Sequence, residues 1–191
     1  MFGEYKGSVK KKVLTALLQA YHDILDYDGL KSILKEAEML YLKNIKRQTD
    51  PNETIDLLSF KKVIYAQNSL LYDSTILLFE IGKKFAFYLF PFGKSFEEII
   101  EEVNTSIMTD WKVEIINSNH NEITIQVHRC IFCSEFGVPC DMFKGFLVHS
   151  LEKSLSSACE VSYEDNNEDV NNPNHNNFIL KLKIEKSVKS T

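Results

Sequence analysis

The fold is decided by the stretch WKVEIINSNHNEITIQVHRCIFCSEFGVPCDMFKGFLVHSLEKSL, which runs from Trp111 to Leu155. Its first part alternates apolar and polar residues, as half-buried β-strands do, and the turn-forming segment NSNHN separates two such runs. The apolar positions are Trp111, Val113 and Ile115 in one run and Ile123, Ile125 and Val127 in the other. After Cys140 the apolar residues take helical spacing. The stretch therefore predicts a β-hairpin followed by a helix.

Two further alternating runs complete a sheet. CEVSYED (159–165) and FILKLKIEK (178–186) have the pattern of strands. The segment between them, NNEDVNNPNHNN (166–177), is typical of a loop because Asn, Asp and Pro favour turns. The chain thus has a helical first half followed by the order β-β-α-β-β. This order predicts the α+β class, a four-stranded antiparallel sheet with helices packed on one face, preceded by N-terminal amphipathic helices.

The N-terminal region has the pattern of two amphipathic helices. An apolar stripe at helical spacing runs from Val9 to Leu25, and the segment YDGL (27–30) interrupts it. Asp28 is a candidate N-cap for a second helix, whose apolar stripe reaches Leu40. We interpret residues 1–50 as an N-terminal helical arm used for dimerisation and residues 51–191 as an α+β domain that binds small molecules. Together they would form one compact unit.

Helical spacing returns in the middle of the chain. It begins at about Leu57, is interrupted at Asp73–Ser74 and continues to Phe90. The following segment, SFEE (95–98), has the spacing of a capping box, in which Ser95 and Glu98 each accept a hydrogen bond from the other's backbone N–H. Three helices are therefore predicted between the arm and the hairpin.

The composition is that of a globular protein, with 191 residues, 44% hydrophobic and 26% charged, and a net charge of −5. An acidic chain is a poor candidate for nucleic-acid binding, which uses basic surfaces. The longest apolar segment, STILLFEIGKKFAFYLFPF (74–92), is interrupted by Glu80, Lys83 and Lys84, so no membrane span is predicted. The first residues lack the pattern of a signal peptide. We therefore expect a cytoplasmic protein, in which cysteines stay reduced.

Three of the four cysteines, Cys130, Cys133 and Cys140, fall within eleven positions. A CxxC pair with a third thiolate nearby suits a metal such as zinc, which takes four Cys or His ligands. His128 is the preferred fourth ligand, because it lies two positions before Cys130 on the same face of a strand. Cys159, Glu135 and Asp141 remain alternatives, whereas helical geometry places His149 on the far side of its helix. The cysteines could instead be buried as small hydrophobic residues or serve redox chemistry.

Aromatic residues crowd the same region and the helix that ends at Phe90. Two such clusters facing each other would suit an apolar ligand pocket between sheet and helices, although ordinary core packing explains each residue singly. Gly82 and Gly145 lie within predicted helices, so each either permits close backbone approach or leaves room for a ligand. The candidate pocket residues are Phe79, Gly82, Phe85, Phe136, Phe143 and Phe146.

Several of these stretches together resemble a known family. They are ILLFEIGKKFAFYLF (76–90), the hairpin, PCDMFKGFLVHSLEKSL (139–155) and CEVSYED, and within them the motif CxxC, six residues, Cys, four residues, Gly-Phe. This pattern resembles the 4-vinyl-reductase-type small-molecule-binding domains, which share their fold with haem-based nitric oxide sensors and with subunits of the TRAPP vesicle-tethering complex. Members of the family commonly carry a Cys-containing turn with Gly-Asp before the final strand. Here that segment, NNEDVNNPNHNNF (166–178), has neither Cys nor Gly.

The resemblance implies a homodimeric module that binds or senses a small hydrophobic, aromatic or tetrapyrrole-like molecule, with a metal at the pocket's edge. A second hypothesis is a structural interaction protein like the tethering subunits, with a filled cavity. A third is a component of a vinyl reductase. The sequence contains no GxGxxG nucleotide loop and no identifiable catalytic residue, so an enzyme is the least favoured of the three. A buried cavity would favour the first hypothesis, and a packed interior with a large apolar surface the second.

Overall fold

A computed structural model describes residues 7–44, 50, 53–91, 93–155, 159–165 and 177–186. A short 3₁₀ helix spans Leu40–Asn44, and a π-helical turn spans Ile131–Phe136. The other elements, in chain order, are β1 (Ser8–Lys10), α1 (Lys11–Glu36), β2 (Thr54–Asp56), α2 (Leu57–Leu71), α3 (Thr75–Leu89), α4 (Phe96–Ser106), β3 (Ile107–Met108), β4 (Lys112–Ser118), β5 (Glu122–His128), α5 (Asp141–Ser154), β6 (Cys159–Asp165) and β7 (Asn177–Lys186).

The predicted α+β class is confirmed. Strands β4, β5, β7 and β6 form an antiparallel sheet in that order, and α4 and α5 pack against it. The apolar residues Val113, Ile125 and Val127 are buried, as their alternation predicted. At the hairpin tip the Asn119 side chain accepts hydrogen bonds from two backbone N–H groups, those of Asn121 and Glu122. The turn-forming composition of this loop thus has a direct structural role.

A second, smaller sheet was not predicted. Strand β1 pairs with β2 on one side and β3 on the other, and Val9, which the sequence assigned to the first helix, pairs with Ile55 in it. Val9 is fully buried. The prediction was wrong here because three-residue strands are too short to show an alternating pattern, and their pairing joins segments far apart in the chain.

The interruption of the N-terminal helix is confirmed, but its cap is Asp26 and not Asp28. Asp26 has φ 59° and ψ −171°, which is not helical, and its Oδ1 accepts hydrogen bonds from the backbone N–H groups of Asp28 and Gly29 at 2.8 and 3.1 Å. These are the second and third positions of the new helical segment, as expected for an N-cap. The stripe also ends before Leu40, which is exposed.

Three helices form the core on which the sheet rests. α1 packs against α3, and α3 packs along α5. The buried side chains of α1 include Leu14, Leu17 and Tyr21, so these apolar residues are covered within the chain. Dimerisation through the N-terminal arm stays a prediction. Among the described residues, no helix is long and apolar enough to cross a membrane.

The two helical glycines lie where α3 and α5 cross. A Cβ atom on Gly82 would stand 1.9 Å from the carbonyl oxygen of Met142, and one on Gly145 would stand 2.1 Å from that of Phe79. Both distances are far inside van der Waals contact. Of the two interpretations that the sequence left open, close backbone approach is therefore the correct one.

Candidate functional site

The fold brings three cysteines together at the junction of sheet and helix. Cys130 lies two residues after the end of β5, directly before the π-helical turn, and Cys133 lies within that turn. Gly137, at φ 68°, ends that turn in the left-handed conformation that glycine tolerates best. The chain then returns, so that Cys140, the residue before α5, places its Sγ 3.4 Å from the Sγ of Cys130. All three Sγ atoms lie within 4.8 Å of one another. We call these residues the thiol cluster.

The electrostatics of the thiol cluster favour a thiolate at Cys133 that accepts hydrogen bonds from the thiols of Cys130 and Cys140. Hydrogen bonds from Cys130 and Cys140 lower the pKa of Cys133 from 9.0 to about 3, and backbone N–H groups of the turn add to this effect. Burial raises the pKa of Cys130 to about 12. The pKa of Cys140 is raised well above its usual value by hydrogen bonds to Cys130 and Cys133 and by burial. A thiolate is the form of cysteine that binds metals and acts as a nucleophile.

His128 lies outside the thiol cluster. Its Nε2 is 3.2 Å from the Oε2 of Glu114 on the neighbouring strand. The next residue, Arg129, has φ 48°, so the strand's alternation ends before Cys130. The sequence argument that put His128 and Cys130 on one strand face therefore does not apply, although His128 as a metal ligand remains a prediction.

The other candidate ligands also lie elsewhere. Among the residues that the structure describes, no fourth Cys, His, Asp or Glu joins the three sulfurs. Asp141 lies 3.7 Å from the Nζ of Lys144, and Cys159 begins β6. His149 is half-buried on α5 near Glu152, and burial lowers its pKa. The described part of the site thus offers three sulfur ligands.

A continuous aromatic cluster fills the interior beside the cysteines. Phe85 packs against Phe146, which stacks on Phe143, and Phe143 contacts both Phe132 and Trp111, with ring centroids 5.2–5.8 Å apart. The cavity left between them measures about 10 Å³, which is the space of about one water molecule. It is lined by Val13, Phe85, Leu89, Val103, Ser106, Ile107, Trp111, Phe132, Phe143 and Phe146.

The predicted pocket residues divide into two groups. Phe85, Phe143 and Phe146 line this small cavity. The remaining three lie apart from it. Phe79 stacks on Tyr163, and Phe136 packs edge-on against Phe60. The backbone of Met142 occupies the space beside Gly82.

Phe132 connects the thiol cluster to the aromatic interior, a role that sequence reasoning missed. It lies between Cys130 and Cys133 in the chain, and its ring stacks on Phe143 with centroids 5.6 Å apart. Its apolar character in the CxxC motif was the only available signal, since the partner ring belongs to the following helix. Phe132 thus places the turn that carries Cys133 in contact with the aromatic cluster.

The chain has the fold of H-NOX domains. It is similar to a double variant of the Tt H-NOX, with a TM-score of 0.64 and 15% identity, over 95% of this chain and 98% of that chain. For an oxygen-binding H-NOX domain related to soluble guanylate cyclases the TM-score is 0.62 and the identity 13%, over 95% and 98%. A third structure concerns modulation of haem redox potential through protein-induced porphyrin distortion (0.61 and 15%, over 94% and 95%). No protein-family model and no curated protein matches the chain.

Proposed function

We propose that this protein is a small-ligand-binding or sensing module of the H-NOX fold whose ligand is a thiophilic metal ion, zinc in the simplest case, held by the thiol cluster. One observation carries the proposal, namely three Sγ atoms within 4.8 Å of one another. Tetrahedral zinc with Zn–S bonds of about 2.3 Å keeps its sulfurs about 3.8 Å apart, so shifts of about 1 Å would close the cluster around an ion. Within this fold, we propose that the chain belongs to the 4-vinyl-reductase-type family. The CxxC motif, with the third cysteine and the Gly-Phe pair that follow it, supports this assignment.

A haem, which the H-NOX relatives suggest, does not fit the described interior. Haem iron is held in proteins by His, Cys, Met or Tyr, and none of these lines the cavity beside the aromatic cluster. The cavity of about 10 Å³ is also far too small for a porphyrin. A tetrapyrrole or an aromatic hydrocarbon would require the stacked rings to move apart. A metal ion at the thiol cluster needs no such rearrangement.

Metal binding would couple the cysteines to the rest of the fold. Binding requires deprotonated ligands, so the ion would displace the protons of Cys130 and Cys140 and join the Cys133 thiolate. It would then tie the end of β5 to the start of α5. Because Phe132 lies within the same turn, occupancy of the site would also hold the aromatic cluster in one arrangement.

The test is elemental analysis combined with native mass spectrometry of the protein purified under reducing conditions. We expect one metal ion per chain, lost when Cys133 or Cys140 is changed to serine. Cys159→Ser is the matched control, because this cysteine lies outside the thiol cluster, and it should retain the metal. A metal-free wild type that also fails to take up added Zn²⁺ would refute the proposal.

A second candidate is an interaction protein, and the filled interior favours it. Apolar side chains flank the turn between α2 and α3, where Tyr72 is 91% and Ile76 77% exposed. The occupant that we propose for this surface is a second copy of the chain, giving a homodimer. Light scattering should then show a dimer that Tyr72→Ser and Ile76→Ser weaken, whereas Ile116→Ser, at an exposed position on β4, should have no effect. A monomeric wild type would refute the homodimer.

A further inference from the structure

The thiol cluster offers three donors, and this number discriminates between ions. Zinc in structural sites is almost always bound by four ligands. Among the described residues no fourth Cys, His, Asp or Glu comes within 4.8 Å of all three sulfurs. A zinc ion would therefore have to recruit water or an exogenous ligand. An ion whose coordination is complete with three sulfurs would need no additional ligand.

The net charge of the ion bound to three thiolates also favours an ion other than zinc. Three thiolates carry three negative charges, so a divalent ion leaves one negative charge and a trivalent ion leaves none. Cys130 is fully buried, and Cys133 and Cys140 pack against the hydrophobic core. Net charge in such surroundings costs free energy unless it is paired. A neutral complex is the one that an apolar site accepts most readily.

Trivalent arsenic meets both conditions. It forms pyramidal complexes with three sulfurs, its lone pair occupies the fourth direction, and the product is uncharged. From these observations we infer that the thiol cluster is a site for trivalent thiophilic ions of the arsenite class and binds them in preference to Zn²⁺. This inference rests on the proposed metal-binding function and names its ligand class.

The binding step is a ligand exchange without oxidation or reduction. As(OH)₃ reacts with the sulfurs of Cys130, Cys133 and Cys140, so that three As–O bonds break and three As–S bonds form. Two hydroxides leave with the protons of the Cys130 and Cys140 thiols, and the third takes a proton from the solvent because Cys133 is already a thiolate. Three water molecules are released. Arsenic remains trivalent throughout, and no co-reactant is required.

The experiment uses the full chain, reduced and metal-free, with sodium arsenite and zinc chloride as probes. We expect one arsenic atom per chain, bound with loss of three protons in the native mass, and only one thiol, that of Cys159, left to react with a thiol reagent. Arsenite should displace Zn²⁺ when the two compete. Cys140→Ser should weaken arsenite binding by at least about 100-fold, because one of three metal–sulfur bonds is lost. Cys159→Ser should bind like wild type.

Arsenic X-ray absorption gives a readout that does not depend on how well a variant folds. A shell of three sulfurs without oxygen is expected for wild type. Two sulfurs with one oxygen, or equal affinity in wild type and Cys140→Ser, would overturn the inference. Tight zinc binding that arsenite cannot displace would also overturn it while leaving the proposed function intact, whereas failure to bind either probe would remove both.

Discussion

Replacing Gly82 by alanine tests the close crossing of α3 and α5. The added Cβ would stand 1.9 Å from the carbonyl oxygen of Met142 and 2.9 Å from the backbone nitrogen of Phe146. Both obstacles are backbone atoms of α5, so no side-chain rotation can relieve the clash. The two helices would have to separate by more than about 1 Å, which loosens the close packing of the interior.

The size of the effect follows from two opposing terms. Overpacking a well-packed core costs about 1–3 kcal/mol, and a clash against backbone lies at the upper end. The substitution also offsets about 1 kcal/mol of this cost, because alanine is a better helix former than glycine. The net loss in the free energy of unfolding is therefore about 2 kcal/mol. For a domain of this size each kcal/mol shifts Tm by about 2–4 °C, so Tm should fall by about 4–8 °C.

Urea denaturation with circular dichroism measures this loss, together with a thermal scan. The midpoint should fall while the m-value stays unchanged. Ser69→Ala, an exposed position on α2, is the control and should change stability by less than about 0.5 kcal/mol. A Gly82→Ala protein that is as stable as wild type, or more so, would show that the crossing can relax and that the reasoning is wrong.

Three further predictions concern the cap, the thiolate and the filled interior. Ser95→Ala removes one half of the capping box of α4 and should lower the free energy of unfolding by about 1 kcal/mol, measured by urea denaturation; an unchanged midpoint would contradict it. Because the pKa of Cys133 is lowered to about 3, its thiolate is present at every pH above that value. Alkylation of one thiol in the metal-free protein should thus keep a constant rate between about pH 5 and pH 8, and Cys133→Ser should abolish this phase; a rate that rises tenfold per pH unit would exclude the thiolate. Phe143→Ala should cost about 3–5 kcal/mol and open a dry cavity that benzene fills, so benzene should raise the Tm of the variant and leave wild type unaffected; no rise in the variant would mean that the rings collapse into the space.

The predictions from sequence succeeded where the pattern is local and repeated. The alternation in β4 and β5, the helical spacing of α3 and α5 and the capping box at Ser95 depend on residues close in the chain, and each is present in the structure. They failed where local signals compete or are too short. Asp26 and Asp28 are chemically equivalent caps, and only the backbone conformation of the kink selects Asp26.

For the candidate site, too, the sequence predicted the local features and missed those that depend on tertiary structure. The spacing of Cys130, Cys133 and Cys140 made a shared metal site one of three open interpretations, beside simple burial and redox chemistry. It could not indicate where His128 would point, because that depends on Arg129 leaving the strand with φ 48°. It also could not tell whether the aromatic residues would surround a pocket or fill it. Volume is a property of the assembled rings and not of their order in the chain.

The sequence by itself therefore determined the α+β class and most of its elements, and it marked three cysteines as candidate ligands, because hydrophobic period and short spacings act within one element or one turn. Only the tertiary structure decided that Gly82 and Gly145 let two helices touch and that Phe132 joins the cysteines to a filled interior. It also decided that the described part of the site ends at three donors. Each of these depends on distances between segments far apart in the chain, which are set when the core packs and not before.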